Sequence, residues 1–274
     1  MATDEQIPAH IDPTVPSVAR MYDYYLGGKD NFPSDREAAE QVIELGRATG
    51  SDIREVALAN RGFLIRSVRH LAETGVRQFL DIGTGLPTQD NVHQVVQRVT
   101  ADSRVVYTDN DAIVLAHARA LLADNPSTII VDADLHEPEK ILKAADGHLD
   151  FSQPIAVVIA AVFHFFHDDD EVERILRTLR GPLVPGSHLV LSHAYIEPGA
   201  SEAEKVDEVR GVYQRSTSGT IAWRGREMLR GYFDGLELLE PGIVPAQRWR
   251  NDDDPHDWPG LVKGGVLAGV GRVP

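Results

Sequence analysis

The sequence predicts an α/β protein: an open, mostly parallel sheet of seven strands with an antiparallel last strand, preceded by a cap of helices. Three observations predict it. From Val76 onward, short apolar runs alternate with segments of helical period. The first run, Val76 to Leu80, stops at Asp81 and passes directly into a turn holding Gly83 and Gly85. The residues before Val76 carry helical periodicity and no strand pattern, so the division expected is an N-terminal arm and helical cap over 1–73 and a ligand-binding α/β domain over 74–274.

Taken in order, residues 1–16 hold Pro8, Pro13 and Pro16 without periodicity and read as an extended arm. Ser17 to Leu26 is a short helix rich in tyrosine that Gly27-Gly28 stops. Ser34 and Glu37 have capping-box spacing and are expected to open a helix running to about Arg47, closed by Gly50. Ser51 starts another, with Ile53, Val56, Ala57, Leu64, Val68 and Leu71 on one face; Arg54, Arg61, Arg66 and Arg69 on the other read as a solvated surface. Then come strand one to Asp81, a helix over 91–99, strand two over 104–108, a helix over 112–123, strand three over 127–131 and a short helix over 138–145. Strand four, 155–160, is apolar throughout, as a strand buried on both faces must be. A helix over 170–179 leads to strand five, 188–192; polar helices over 202–214 and 225–232 precede strand six, 236–239, and strand seven, 265–272. The loop between the last two carries Asp252-Asp253-Asp254, expected to be solvated.

Composition narrows the functions. The chain of 274 residues is 42% hydrophobic and 25% charged, which suits a globular domain with a substantial core. Asp and Glu number 42 against 27 Lys and Arg, and the net charge of -15 disfavours binding to nucleic-acid phosphate or anionic lipid. The absence of cysteine excludes disulfides, a thiol nucleophile and a cysteine metal site. The polar N-terminus lacks an apolar leader core and no apolar run approaches about 20 residues, so a cytoplasmic protein with a small-molecule partner is expected.

Ligands of open α/β sheets bind outside the carboxyl ends of the strands, which puts the Asp81–Gly83–Gly85 turn on the floor of a cofactor site. A dinucleotide fingerprint would have a third glycine where Thr88 stands, and Pro87 intrudes. An acid two residues ahead of the first glycine would repel a pyrophosphate and suits a cation, as in the ammonium of S-adenosylmethionine (SAM). Strand two ends at Asp109, placed to accept from ribose hydroxyls, with Asn110 beside it; strand three is followed by Asp134 and Leu135, placed for an adenine ring. Strand-end acids alone are common because helix N-caps favour Asp, and Asp134 taken singly reads equally as a cap; three in one crevice are a much more specific signal of a ligand than any one. An NAD-linked oxidoreductase is a weaker match, since Asp109 would suit its ribose but Asp81 and Thr88 would not suit its pyrophosphate.

The segments YDYYLGGKDNF (22–32), QFLDIGTGLPT (78–88), VVYTDNDAIVLAHARALL (105–122), DADLHEP (132–138), AVFHFFHDD (161–169), YQRST (213–217) and FDGLELLEPG (233–242) together resemble the class I SAM-dependent methyltransferases, and more closely one uncharacterised bacterial family of S-adenosyl methyltransferases. The resemblance spans almost the whole chain. It implies a Rossmann-like fold, methyl transfer from SAM, Asp81, Gly83 and Gly85 at the methionine end, Asp109 and Asn110 at the ribose, and Asp134 and Leu135 at the adenine. Pro87 departs from the third glycine of many small-molecule methyltransferases and stiffens the turn.

On the acceptor side, His164 follows strand four and is the candidate general base, although it could instead bond a backbone carbonyl and shape the pocket. His193 after strand five has the same two readings. His164, His167, His193 and Asp168 show no known metal-ligand spacing, so no metal is expected. The segment Arg20 to Tyr25 and the loop Gly28 to Phe32 read equally as a lid hinged at Gly27-Gly28, with Tyr24 and Asn31 reaching the cofactor, or as the ordinary packing of an amphipathic helix. Arg215, Trp223 and Arg224 are further candidates for binding the acceptor. The leading reading is a SAM-dependent methyltransferase of a small molecule; the alternative is a non-catalytic SAM-binding regulator.

Overall fold

The structure is a computed structural model that describes residues 12–87, 90–122, 124–196, 203–251, 256, 258, 261 and 264–274. Thr88, the first eleven residues of the arm, the start of the 202–214 helix and Asp252-Asp253-Asp254 lie outside them. Among the described residues the chain runs α1 (Val18–Tyr25), α2 (Pro33–Thr49), α3 (Ile53–Glu73), β1 (Gln78–Ile82), α4 (Val92–Val99), β2 (Arg104–Asp109), α5 (Ala112–Leu121), β3 (Thr128–Asp132), α6 (Pro138–Ala145) and β4 (Ala156–Ala160). It continues through α7 (Asp169–Arg180), β5 (His188–Ile196), α8 (Ala203–Tyr213), α9 (Arg226–Gly231), β6 (Glu237–Leu238), β7 (Val244–Pro245) and β8 (Gly264–Arg272).

The sheet order is β3-β2-β1-β4-β5-β8-β6, with the two-residue β7 also pairing β8. β1 to β5 pair in parallel, and β8 runs antiparallel to β5, β6 and β7. The architecture is the Rossmann-like sheet expected, with β7 as an eighth strand too short to leave a periodic signal. Alternation along each strand builds two cores. Leu80, Ile82, Val106, Val157 and Ile159 face α6, α7 and α9, while Phe79, Val105, Tyr107, Ala156 and Val158 face α3 and α4. β1 and β5 are accordingly buried on both faces over nearly their whole length.

α3 lies against the sheet through Phe63, Val68 and Leu71. α1 and α2 pack instead with α8 in a third cluster, where Met21, Tyr25, Ile43, Val212, Tyr213 and Ile221 meet. A buried ion pair secures that layer: Arg20 Nε reaches Asp35 Oδ2 at 2.7 Å, and Asp35 also accepts from the Ser17 and Phe32 backbone N–H groups. Those bonds correct the expected start of α2. Pro33, which has no N–H to leave unpaired, takes the first helical position. Asp35, rather than Glu37, reaches back to the chain entering the helix, and Ser34 donates to Pro13 O.

Candidate active site

The turn after β1 is fastened to β2. Gly83 and Thr84 N–H both donate to Thr108 O, at 2.8 and 3.2 Å. Gly83 and Gly85 have φ of 69° and 66°, the left-handed region that favours glycine. They differ in their surroundings. A Cβ on Gly83 would lie 2.6 Å from Val162 Cγ2, whereas one on Gly85 would meet no atom of the described residues within 4 Å. Asp109 Oδ2 accepts from Gly85 N–H at 2.9 Å and its Oδ1 from Asp111 N–H at 2.9 Å, so one carboxylate ties the glycine turn to the start of α5. Asp111 caps α5 through Ile113 N–H, and its other oxygen accepts from Ser17 Oγ at 2.8 Å, which joins the α1 layer to the strand ends. Asn110 Nδ2 donates to Asp134 Oδ2 at 3.1 Å, and Asp134 Oδ1 accepts from His136 N–H.

Asp81, Gly83, Gly85, Asp109, Asn110, Asp134, Leu135 and His164 all line one cavity of about 910 Å3. Burial raises the Asp81 carboxyl to about 7, opposed by the Arg61 guanidinium and by Thr84, and reinforced by Asp109. Burial also raises Asp109, with the Asp111 and Gly85 N–H groups holding it back. Two desolvated carboxyls on one floor make a site that gains from a cationic ligand. Arg61 is therefore not the solvated residue its place on the polar face of α3 suggests: it lines the cavity and donates to Asp90 O at 3.0 Å. Arg66 likewise turns inward to the carbonyls of Trp249 and Ala246, at 2.8 and 2.7 Å. Both contacts are made to chain distant in sequence or outside the helix, which periodicity alone does not register.

Beyond this floor the cavity passes under the helices. Tyr22 and Tyr25 line it, with Val18 one turn before, because positions 18, 22 and 25 share a face of α1. Tyr24 points elsewhere, donating to Glu40 with its ring under Arg54. Asn31 donates to Asp23 Oδ2 at 2.8 Å, and no residue of 27–32 lines the cavity. The expected cofactor contacts of Tyr24 and Asn31 are thus not among those the fold brings together. A buried relay does reach the wall: Asn60 Nδ2 donates to Tyr22 Oη, Ser192 Oγ to Asn60 Oδ1 at 2.6 Å, and Ala161 N–H to Ser192 Oγ. Ala161 has a φ of 58° at the end of β4, and it too lines the cavity. Asn60 could have been singled out from sequence as a polar residue inside the apolar stripe of α3, next to Val56, Ala57 and Leu64.

The histidines separate into distinct roles. His164 is buried on the cavity wall, its Nδ1 has no partner among the described residues, and burial, with His193 and Arg224 nearby, holds it well below the usual imidazole range. It is neutral. His193 is fully buried outside the lining, its Nδ1 2.7 Å from Ala194 O and its Nε2 2.9 Å from Arg224 NH1. The guanidinium can only donate, so Nε2 accepts and Nδ1 carries the proton; both nitrogens are committed and burial drops the group to about 4. His167 is exposed and bonded to Thr220. Arg224 itself is buried and donates to Asp169, Phe163 O and Phe166 O, bracing the loop that carries His164.

The family profile described as S-adenosyl methyltransferase matches residues 4–274. The chain belongs to that family. Two solved structures are similar over nearly their full length. A DUF574 family protein from Streptomyces avermitilis is 38% identical, with 96% of this chain and 99% of that one covered at a TM-score of 0.85. A methyltransferase candidate from Thermobifida fusca is 38% identical, with 98% of each chain covered at a TM-score of 0.86. No curated protein matches the chain. The family is one of methyltransferases, and the acceptor is not identified by these likenesses.

Proposed function

We propose that the strand-end floor binds SAM and that the chain transfers its methyl group to a small molecule lodged beneath the α1, α2 and α8 layer. The observation that carries this is the pairing of a buried carboxyl, Asp81, and a half-buried one, Asp109, with two left-handed glycines on the floor of one cavity. The residues suit the ligand. Asp81 would pair with the ammonium, and the open space at Gly85 leaves room for the donor to approach the backbone. Asp109 and Asn110 would take the ribose hydroxyls, each Asp109 oxygen retaining a lone pair beyond its backbone bond. Asp134 and Leu135 would border the adenine. Bound there, SAM supplies a methyl group already activated by its sulfonium.

The chain's own contribution is placement, exclusion of water and handling of a proton. Orientation of two reactants accounts for much of such an acceleration. His164, neutral and on the wall, can accept a hydrogen bond from the acceptor and take its proton. Continuity of the cavity from the floor to His164, Tyr22 and Tyr25 favours an enzyme over a binding-only regulator, because a regulator needs no second compartment. Isothermal titration with SAM, S-adenosylhomocysteine and NAD tests the donor; affinity for neither sulfur ligand would refute it. Detection of labelled methyl in products from a metabolite extract separates the enzyme from the regulator.

A further inference from the structure

Resting on that reading of the donor site, we propose that the acceptor is a ring compound bearing a hydroxyl and no cationic group, held against Phe165, Tyr213 and Trp223 with its hydroxyl at His164. The compartment beyond the floor is walled by rings and branched aliphatics. Phe165 lies 4.2 Å from the His164 ring, centroid to centroid, and 6.0 Å from the Tyr213 ring. The segment carrying Ile221 and Trp223 is tied to the same corner by Ala222 N–H, which donates to His164 O at 2.7 Å. Flat, apolar surfaces of this kind select a flat, apolar body, since aromatic pairs add to simple burial.

Charge selects further. Among the described lining residues, the carboxylates are Asp12, which accepts from Thr14, Asp111, which accepts from Ser17 and caps α5, and the strand-end acids Asp81, Asp109 and Asp134; α1, α2, α3 and α8 contribute none. An ammonium-bearing acceptor would lose its water there with no counter-charge, a cost of several kcal/mol. Beyond its burial, His164 has His193 and the buried Arg224 guanidinium beside it, surroundings that disfavour a cation and favour an oxygen that gains negative character. His164 supplies the polar partner an apolar ring cannot: it is buried and its imidazole lines the cavity. A ring hydroxyl is more acidic than an aliphatic alcohol and so asks less of an imidazole that burial has made a weak base. In the transfer the acceptor O–CH3 bond forms as the methyl–sulfur bond breaks, sulfur keeps that pair as a thioether, and the hydroxyl proton leaves through His164 to solvent.

The test is calorimetry on the full chain saturated with S-adenosylhomocysteine, using 2-naphthol and protonated 2-naphthylmethylamine as probes. The naphthol is expected to bind at least about tenfold more tightly than the amine. Trp223→Ala and, independently, Tyr213→Ala are expected to weaken naphthol binding about tenfold while S-adenosylhomocysteine affinity holds. His164→Phe is expected to keep naphthalene binding and lose the preference for naphthol. Equal or tighter binding of the amine, or no naphthol binding to the saturated protein, would overturn the proposal and leave the donor reading standing. Absence of S-adenosylhomocysteine binding would overturn both.

Discussion

The two glycines of the turn make separable demands. Gly83 is needed for conformation and for space, since a methyl there drives into Val162; Gly85 needs only its left-handed backbone. Gly83→Ala should therefore lower thermal stability markedly, whereas Gly85→Ala should carry only the left-handed cost of about 1–2 kcal/mol. The Gly85 methyl would project into the space assigned to the donor, so its larger effect should appear in titration, as lost SAM affinity in a folded protein. Equal melting losses for the two variants would show that the open side of Gly85 is not the ligand's. Asp109 acts on the same turn from the other side, bonding Gly85 N–H and Asp111 N–H. Asp109→Ala should abolish measurable SAM binding, and undiminished affinity would refute the ribose assignment.

At the scale of elements, the α1–α2 layer depends on one buried charge pair rather than on helix strength, α1 being only eight residues long. Asp35 is completely buried and receives Arg20, Ser17 N–H and Phe32 N–H. Asp35→Ala leaves the guanidinium uncompensated, and removing one partner of such a pair costs about 3–5 kcal/mol. Hydrogen exchange should then accelerate across α1 and α2 while β1 and β4 stay protected; uniform acceleration would mean the layer is not a separate unit. β1, β4 and β5 were legible because double-sided burial makes each a compact apolar run, as in 155–160, whereas the two-residue β6 and β7 carry no such pattern. The partners of the helical layer were not. α8 joins α1 and α2 from nearly two hundred residues away in sequence, and nothing local in its polar sequence states which surface it covers. The inward turn of Arg66 escaped for the same reason, its acceptors being carbonyls of Ala246 and Trp249.

Across the whole molecule, the floor of the site was readable and its roof was not. Strand-end acids announce themselves because each follows an apolar run, as Asp81 and Asp109 do; Tyr24 and Asn31 lie off the cavity lining, Tyr24 because only the packed angle of α1 decides which tyrosines face inward and Asn31 because it turns to Asp23. Ser17 joins floor and roof by donating to Asp111 beside the strand ends, which couples the helical layer to the donor site proposed there. The titration of Asp81 gives that coupling a measurable sign. Its carboxyl ionises near 3.8 when unfolded and at about 7 when folded, so the folded chain holds an extra proton between those limits. The stability this adds is complete below pH 3.8 and is lost as pH rises through about 7, where the bare carboxylate becomes a burden on the fold. A bound ammonium reverses the burden by pairing with the carboxylate. SAM affinity should therefore strengthen from pH 5.5 toward pH 7.5, approaching about tenfold per pH unit below the Asp81 value, and the thermal shift from SAM should be larger at the higher pH. Asp81→Asn should bind weakly with a flat profile. A profile that is flat in the parent chain, or one that keeps its slope in Asp81→Asn, would remove Asp81 from the ammonium site.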